Sequence, residues 1–310
     1  MTPEVSAIIV NYNAGQDLAL ALRTVQTDCA QIPWEAVVVD NASTDGSASA
    51  VETFPHATLI RNADNVGFGR AVNQAVASSR APLLLLLNPD AIIVNSVTPL
   101  REACLDPGTA AAGGMLVDNS GRPQIGFMVR RFPTPEALCF EALLVNRVIP
   151  RNPVNWQYRC LDLDYSAPLD VEQPAGAFLM IRRDAWEKLG GFDENFYPLW
   201  FEDVDFLKRA KDHAYRIRFV PEAVAKHTGA HSIRKISLEF RQFYWYGSVL
   251  KYAAKHFPPG AEKLVCLAVI MGSVMRTVLG VPRHWSLQPI EVYAKVVKLA
   301  GRQLFYRTAG

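Results

Sequence analysis

The sequence predicts an α/β fold in which a mostly parallel sheet is flanked by helices and followed by a helical C-terminal extension. Segments with the apolar pattern of buried strands alternate with segments of helical periodicity through the first half of the 310 residues. Repeated strand–helix units of this kind build parallel sheets that carry helices on both faces. Three of the strand segments end in polar clusters, and ligands bind at the carboxyl ends of such strands.

The first two strands are predicted at residues 5–10 and 34–39. The first ends in the polar sequence NYN, and the helical sequence LALALRTV follows it. The second ends in Asp40, followed by the turn-forming sequence NASTDG. Both segments are therefore predicted to stop in loops at the same edge of the sheet.

A third strand is predicted at residues 58–60, before the amphipathic helix FGRAVNQAVASS, and a fourth at residues 82–87. The five leucines of the fourth strand fit a strand that is buried on both faces. Pro89 has no N–H group and ends the strand, and Asp90 alone would be an ordinary turn residue. A third polar strand end in one sheet favours a ligand site instead.

The second half of the chain is less regular. Residues 118–170 contain many Pro, Asn and Arg residues and predict a hairpin or an irregular excursion. A strand at 177–181, the helix DVDFLKRAKDH and the strand IRFVP return to the α/β pattern. We place the main domain at 1–232 and a helical region at 233–310.

The C-terminal region differs from the main domain in charge. Residues 233–310 contain 12 Lys and Arg against 3 Asp and Glu, whereas the rest of the chain contains 20 against 27. This asymmetry predicts an anionic partner for the C-terminal region. Residues 264–275 are uncharged, but twelve residues are shorter than the ~20 that cross a membrane. The region is thus predicted to dock on a membrane surface or to form an oligomer interface.

Several classes of protein are disfavoured. GFGRAV at 67–72 lacks the third glycine of a dinucleotide-binding loop, and no phosphate-binding G-x-x-x-x-G-K-[ST] loop is present. NASTDGSASAVE resembles a calcium loop only in part and follows a strand. The five cysteines contain no C-x-x-C pair, which fits a reducing compartment. The N-terminal segment does not have the pattern of a signal peptide.

Residues 190–209, GGFDENFYPLWFEDVDFLKR, interleave acidic and aromatic residues. Carboxylates at a helix start favour the helix dipole, which is a purely structural explanation. Aromatic rings beside carboxylates also suit the apolar faces and the hydroxyls of a sugar. A carboxylate within reach of a hydroxyl group can act as its general base. Both interpretations stand on the sequence of this segment alone.

Seven motifs across residues 4–232 together resemble the family 2 glycosyltransferases, which have the nucleotide-sugar-binding GT-A fold. The likeness is greatest to bacterial rhamnosyltransferase-like members. In chain order, the motifs are IIVNYN, VVVDNASTDGS, NVGFGRAVNQAV, NPDA, GAFLMIRR, GGFDENFY and FEDVDF.

The resemblance implies a role for each site residue. Asp203 matches the catalytic base, and Asp90 and His227 match the ligands of a divalent metal, Mg²⁺ or Mn²⁺. Asn88 replaces the first acid of the family's D-x-D element. The residues that match the nucleotide-sugar site are Asn11, Tyr12, Asn13, Asp40, Asn65, Gly67, Arg70 and Asn88. Those expected on the acceptor side are Gly176, Trp200 and Glu202.

The resemblance also implies an inverting transfer of a sugar from a nucleotide-diphosphate donor. We expect L-rhamnose from dTDP-rhamnose, moved to a hydroxyl of a saccharide or a polyprenyl-linked saccharide in bacterial surface polysaccharide synthesis. A UDP-hexose donor and a non-catalytic sugar-nucleotide-binding protein are the alternatives. A nucleotidyltransferase would carry a Gly-rich phosphate loop after the first strand, where this chain has NYNAGQD. No nucleic-acid module is recognisable. The protein is expected in the cytoplasm, on the inner face of the cell membrane.

Overall fold

The computed structural model describes residues 2–229, 237–284 and 287–305. Its strands are β1 (Val5–Asn11), β2 (Trp34–Asp40), β3 (Ala57–Arg61), β4 (Leu83–Leu87), β5 (Ala91–Ile93), β6 (Thr109–Val117), β7 (Val129–Arg130), β8 (Leu169–Asp170), β9 (Gln173–Pro174), β10 (Phe178–Arg182) and β11 (Arg216–His227). Its α-helices are α1 (Asp17–Asp28), α2 (Phe68–Ala77), α3 (Thr98–Leu105), α4 (Pro135–Ala142), α5 (Val145–Val148), α6 (Pro153–Tyr158), α7 (Arg183–Leu189), α8 (Glu202–Asp212), α9 (Leu238–His256), α10 (Pro259–His284) and α11 (Gln288–Phe305).

The central sheet has the order β3-β2-β1-β4-β10-β6-β11-β5, and β8 pairs with β11. Strands β1 to β4 run parallel to one another and to β6 and β11, whereas β10, β5 and β8 run antiparallel to their neighbours. The predicted fold class, a mostly parallel sheet with flanking and C-terminal helices, is confirmed.

Strand β4 lies in the middle of the sheet, between β1 and β10, and all five of its leucines are buried. Because β10 is antiparallel to β4, the start of β10 lies beside the end of β4. The N–H of Asn88 donates to the carbonyl of Ala177 at 2.9 Å, which continues this pairing beyond Leu87. Gly176 therefore lies at the same edge of the sheet as Asp90.

Strand β11 brings His227 to this edge as well. Its last residues pair with β5, and His227 lies opposite Ala91, the residue that follows Asp90. The N–H of Thr228 donates to the carbonyl of Asp90 at 3.2 Å. Two segments more than one hundred residues apart in the sequence thus meet where β4 ends.

The excursion at 118–170 contains local structure. It holds helices α4, α5 and α6 and the short strand β7, which pairs with β9. Asn152 and Thr134 are the N-caps of α6 and α4, and their side chains accept hydrogen bonds from backbone N–H groups in the first turn. Helix α4 packs on α10, so the excursion lies between the sheet and the C-terminal helices.

The C-terminal helices share a second hydrophobic core with the main domain. In this core Phe201 and Val204 pack with Tyr252, Val265 and Val296, which come from α9, α10 and α11. The predicted boundary at 232 lies outside the described residues, and residues from both sides of it pack together in this core. Residues 196–201 precede α8, and residues 202–204 are its first three. We therefore expect the C-terminal helices to stabilise the position of residues 196–204.

Asp205 connects α8 to α9 through buried charges. Its carboxylate accepts hydrogen bonds from His256 and Arg209, both at 2.8 Å, and its Oδ1 lies 2.8 Å from the Lys255 ammonium. Burial alone would raise the pKa of Asp205, but hydrogen bonds from His256 and Lys255 lower it to about 2. A carboxyl with a lowered pKa stabilises the fold above its ordinary pKa, and that contribution disappears as the pH falls toward 2.

Asp205→Asn is expected to lower the free energy of unfolding by about 3 kcal/mol, because it removes a buried charge that accepts hydrogen bonds from the partly buried Arg209 and His256. Urea unfolding at neutral pH measures this difference. The matched control is Asp212→Asn on the same helix, since Asp212 is an exposed partner of Lys208 and should contribute less than ~1 kcal/mol. Equal losses in the two variants would contradict the assigned role of Asp205.

Candidate active site

A cavity of about 900 Å³ opens at the sheet edge where β1 and β4 end. This volume lies in the ~300–1,000 Å³ range of small-molecule sites. Ten of the fourteen predicted site residues line the cavity. They are Tyr12, Asn13, Asn65, Asn88, Asp90, Gly176, Trp200, Glu202, Asp203 and His227.

Asn11 and Asp40 do not line the cavity but are buried beside it. The side-chain amide of Asn11 donates to Asp40 at 2.8 Å and to Ser43 and Ser47 at 3.0 and 2.9 Å. These bonds join the ends of β1 and β2 to the loop that follows β2. The predicted contact between Asp40 and a nucleotide base stays a prediction.

Tyr12 and Asn13 form the cavity wall above this pair. Asn13 has a positive φ of 52°, and its side-chain carbonyl accepts from the N–H of Thr44 at 2.8 Å. Its own N–H donates to Ser43 at 2.9 Å. The ring of Tyr12 is exposed, so it offers a flat face on which a base can stack.

Asn65 organises the turn before α2, together with Asn41, a cavity residue that the sequence prediction missed. The side-chain oxygen of Asn65 accepts from Asn41 at 3.1 Å and from the N–H of Gly67 at 3.0 Å. Gly67 has a φ of 87°, and an added Cβ would lie 2.8 Å from the ring of Tyr197. Glycine is therefore required there, although Gly67 itself does not line the cavity.

Arg70 is exposed on α2 and also does not line the cavity. Its Nε lies 3.9 Å from a carboxylate oxygen of Glu194. The structure therefore does not bring Arg70 to the other predicted donor-binding residues, and its predicted contact with a diphosphate stays a prediction.

Asp90 and His227 form a pair of possible metal ligands, and both are buried where they line the cavity. Nε2 of His227 lies 3.5 Å from Oδ1 of Asp90. On the other side of the ring, Nδ1 lies 3.4 Å from the side-chain oxygen of Gln124, whose amide donates to the His227 carbonyl at 2.7 Å. This arrangement favours a proton on Nδ1 and leaves the Nε2 lone pair for a metal.

These two residues fit a divalent metal that also binds substrate. Among the described residues, no group of three His, Cys, Asp or Glu side chains could hold a metal ion. Mg²⁺ commonly takes one or two carboxylates and completes its coordination with water and phosphate oxygens. Asp90 and His227 would thus hold such an ion together with a diphosphate. Asn88 adds a neutral amide to the same wall.

Asp203 lines the cavity and contacts Gly176. The N–H of Gly176 lies 3.3 Å from Oδ2 of Asp203, and the N–H of Val204 donates to Oδ1 at 2.8 Å. Burial raises the pKa of Asp203, although these two hydrogen bonds oppose the change. A carboxylate with a raised pKa is a stronger base, and both of its oxygens are held in place.

Glu202 lies beside Asp203, and its Oε2 has no hydrogen-bond partner in the described part of the chain. Burial, and then the charge of Asp203, raise the pKa of Glu202 well above its ordinary value. The raised pKa favours the neutral form of Glu202 beside Asp203. A neutral carboxyl can donate a hydrogen bond to a sugar hydroxyl in the cavity.

Aromatic side chains line the cavity wall next to Glu202 and Asp203. Trp200 and Phe201 both have a φ of 73°, a conformation that costs free energy for residues with side chains. Their rings lie 5.5 and 5.4 Å from that of Trp245 on α9. The C-terminal helix thus holds the turn immediately before Asp203, and Trp245 itself lines the cavity.

The sequence prediction missed the part of the wall that comes from the excursion. Gln124, Phe127, Arg130 and Tyr158 all line the cavity. Phe127 stacks on His227 with ring centroids 5.4 Å apart. No local pattern identifies these residues, because their position depends on pairings with β9 and β11 that are distant in sequence.

Comparison with known proteins gives a consistent family. The model of glycosyl transferase family 2 matches residues 6–190, and that of the N-terminal domain of galactosyltransferase matches 161–232. N-acetylglucosaminyl-diphospho-decaprenol L-rhamnosyltransferase of Mycobacterium tuberculosis is 29% identical over 250 residues, which cover 75% of this chain and 78% of the relative. Rhamnosyltransferase WbbL of Escherichia coli is 25% identical over 200 residues, covering 61% and 70%.

Solved structures share the fold. A mannosyltransferase from Pyrobaculum calidifontis, in complex with GDP-Man and Mn²⁺, superimposes with a TM-score of 0.55 at 17% identity and covers 100% of this chain and 89% of that one. TarS 1-349 of S. aureus superimposes with a TM-score of 0.51 at 17% identity and covers 99% and 93%. These likenesses confirm the predicted GT-A fold, and the family match confirms the predicted resemblance.

Proposed function

We propose, because the chain belongs to glycosyl transferase family 2, that it transfers L-rhamnose from dTDP-rhamnose to a hydroxyl of a lipid-linked saccharide. One observation carries the proposal: Asp203 and the Asp90–His227 pair line the same cavity, so a base and a diphosphate site face one substrate. The sugar and the acceptor class are suggested by two relatives named as rhamnosyltransferases, one of which acts on a diphospho-decaprenol saccharide.

The reaction is a single displacement. An acceptor hydroxyl attacks the anomeric carbon from the face opposite the nucleotide, and Asp203 takes the proton of that hydroxyl. A bond forms between the acceptor oxygen and the anomeric carbon, while the bond from that carbon to the diphosphate breaks and its electron pair leaves with the diphosphate. The anomeric configuration is therefore inverted.

Each neighbour of Asp203 has a part in this step. The N–H groups of Gly176 and Val204 orient the carboxylate, and neutral Glu202 donates to a second hydroxyl of the acceptor. On the other side, Asp90 and His227 would hold the divalent metal together with the donor. When bound, the metal offsets negative charge on the departing diphosphate.

Gly176→Ala is expected to lower kcat about tenfold or more without changing donor affinity. An added Cβ would lie 2.9 Å from Oδ2 of Asp203 and 3.4 Å from its Cβ, so the base must move. Small displacements of a positioned catalytic group cost up to ~10²-fold in rate. Steady-state transfer assays measure the effect. Gly301→Ala is the control, since its added Cβ meets nothing within 4 Å; equal activities would show that Asp203 tolerates displacement.

A UDP-hexose donor is the second candidate, and one observation favours it. The model that matches residues 161–232 describes the N-terminal domain of a galactosyltransferase. Tyr12 offers a ring on which a base can stack, and Asn13 offers an amide. Both suit either pyrimidine base, thymine or uracil.

A panel of nucleotide sugars tests the donor. Binding and donor hydrolysis are measured by calorimetry and by nucleoside diphosphate release, with Mn²⁺ present, for dTDP-rhamnose, UDP-hexoses and GDP-mannose. The proposal predicts the tightest binding and fastest release with dTDP-rhamnose. Preference for a UDP-hexose would replace the donor, and binding without transfer to any acceptor would support a sugar-nucleotide-binding protein.

We also propose that α10 holds the enzyme on the cytoplasmic face of the membrane. By length and composition the 23 residues Pro259–Val281 could cross a membrane, which corrects the length argument made from residues 264–275 alone. One side of this helix is packed, however: Val265 and Val269 lie in the second core, and Gly272 contacts the carbonyl of Ala142. That packing favours a helix lying in the membrane surface.

The opposite side of α10 is apolar and exposed. Its exposed large side chains are Leu264, Leu267, Met271, Val274, Met275, Val278 and Leu279. Exposed Lys263 adjoins this face, and Glu262 is buried. An apolar face beside basic residues binds the interface of an anionic bilayer.

Full-length protein is expected to float with anionic liposomes at low salt and less with neutral ones. The double variant Leu267→Glu with Met271→Glu should lose flotation, because it places charges on the apolar face. Leu105→Glu, at an exposed leucine of α3, is the matched control and should float. If the wild-type protein stays with the unbound fraction, the membrane assignment is wrong; a dimer in solution would then identify the face as an oligomer interface.

A further inference from the structure

A second cavity of about 120 Å³ lies beside the active-site cavity. The two adjoin, because Arg130, Tyr158 and Trp245 line both. This volume is well above the ~10–15 Å³ that a cavity needs to hold one water molecule. Its other walls come from α4 and α9, including Leu138 and Val249.

Two half-buried arginines, Arg130 and Arg159, line this second cavity. Nε of Arg130 donates to the carbonyl of Gly126 at 2.9 Å, and Nε of Arg159 donates to the side-chain oxygen of Asn155 at 3.0 Å. The hydrogen bonds of both guanidinium groups within the described chain therefore go to neutral oxygens. Nη1 of Arg159 also donates to the carbonyl of Gly126 at 3.5 Å. These bonds orient both groups, and each guanidinium has further N–H donors beyond the ones used here.

The two cations affect each other. Burial, and then the charge of Arg130, lower the pKa of Arg159, whereas the charge of Glu141 opposes this change. Glu141 lines the same cavity and accepts a hydrogen bond from Asn146 at 3.0 Å. The three groups leave one net positive charge in a partly buried space. Such a charge is costly unless an anion offsets it.

The second cavity lies between the catalytic base and α10. On one side, the charge of Arg130 acts on Asp203, where it opposes the rise in the pKa of that carboxyl caused by burial. On the other side, Tyr246 lines the cavity, and the guanidinium of Arg276 on α10 lies 5.6 Å from its ring centroid. Arg276 also donates to the carbonyls of Ala142 and Glu141.

We propose that Arg130 and Arg159 bind the diphosphate of a lipid-linked acceptor. The inference rests on the proposed function, since it requires an acceptor that carries a diphosphate between its sugar and its lipid. With the diphosphate at the two arginines, the sugar extends toward Asp203 and the lipid toward α10, the helix proposed to lie on the membrane. Guanidinium groups suit this ligand because they form paired hydrogen bonds to phosphate oxygens.

The donor diphosphate is a different ligand with a different site. It belongs with Asp90 and His227, which do not line the second cavity. Arg130 and Arg159 lie on the side of Trp245 and Tyr158, where the acceptor enters. The two diphosphates are therefore held by different chemistry, one by a metal and one by arginine side chains.

Arg130→Gln and Arg159→Gln test the proposal with two acceptors. One is N-acetylglucosaminyl-diphospho-farnesol, and the other is a farnesyl N-acetylglucosaminide without the diphosphate. Each variant should raise the KM for the diphospho acceptor about tenfold or more. In Arg159→Gln, whose side chain does not line the active-site cavity, the KM for the second acceptor and the affinity for dTDP-rhamnose should stay at wild-type values. Arg159→Lys keeps the charge and should restore part of the affinity.

Controls separate charge from folding. Arg147→Gln removes an exposed arginine outside the cavity and should change nothing, whereas Glu141→Gln should lower the KM for the diphospho acceptor. Thermal melting checks that each variant is folded. For each protein, the KM for the diphospho acceptor is divided by the KM for the second acceptor. The proposal would be overturned if this ratio were the same in the variants as in wild type.

A binding measurement distinguishes this failure from failure of the proposed function. Farnesyl diphosphate is titrated into protein saturated with dTDP and Mn²⁺, so that the donor site is occupied. The inference predicts binding that Arg130→Gln and Arg159→Gln weaken about tenfold, even if no acceptor is glycosylated. Unchanged affinity in both variants would contradict the arginine site, whereas binding without any transfer would count against the proposed function alone.

Discussion

Asp203→Asn should lower kcat by about 10²-fold or more while dTDP-rhamnose binds with wild-type affinity, because the lost group is the general base. Replacement by asparagine changes the chemistry of this side chain more than its shape. Asparagine has nearly the same shape, and its side-chain oxygen can still accept from the N–H of Val204, which lies 2.8 Å from Oδ1. The change therefore removes proton acceptance and keeps the Val204 contact, whereas the long 3.3 Å contact of the Gly176 N–H with Oδ2 is lost.

Transfer rates and calorimetric donor binding, measured on the same protein, test this expectation. Asp212→Asn is the matched control, since it makes the same chemical change at the exposed end of α8. A transfer rate within a few-fold of wild type in Asp203→Asn would remove Asp203 from the role of base. Loss of donor binding instead of turnover would move it to the donor side.

Asp90→Ala should lower kcat/KM by about 10²-fold or more through lost metal-dependent donor binding. A metal at a developing charge contributes several kcal/mol, and each 1.4 kcal/mol is a factor of ten. In the described part of the chain the metal has few protein ligands to share the loss, since Asp90 and His227 are the pair at this site. Excess EDTA should reproduce the effect in the wild-type enzyme.

Donor titrations with and without Mn²⁺ measure this loss directly. Asp118→Ala, which removes a half-buried carboxylate that does not line the cavity, is the control and should keep its metal response. Full activity of the wild-type enzyme in EDTA would show that transfer proceeds without a metal. Added Mn²⁺ is predicted to restore activity in wild type but not in Asp90→Ala.

The sequence predicted those parts of the site that follow strand ends. The five leucines of β4 identify a buried strand, and a buried strand must deliver the next polar residues, Asn88 and Asp90, to the sheet edge. The acidic start of α8 likewise places Asp203 and Glu202 by helix position. Local sequence determines such placements.

The remaining parts depend on distant pairings. Gln124 and His227 hydrogen-bond across 103 positions, and Arg130 reaches the cavity only through the pairing of β7 with β9. Asp40 is the opposite case, since it ends a strand as predicted but does not line the cavity. Its carboxylate instead accepts a hydrogen bond from Asn11 on the neighbouring strand. Composition alone could not indicate that α10 extends beyond the uncharged residues 264–275. The length of this helix depends on the packing of one of its faces against other helices.

The anomeric configuration of the product tests the proposed inverting transfer of rhamnose. Wild-type enzyme is incubated with dTDP-rhamnose, Mn²⁺ and N-acetylglucosaminyl-diphospho-farnesol, and the product is examined by NMR spectroscopy. The account predicts a product with one added rhamnosyl group whose anomeric configuration is inverted relative to the donor. A product with retained configuration, or no transfer of rhamnose to this acceptor, would contradict it.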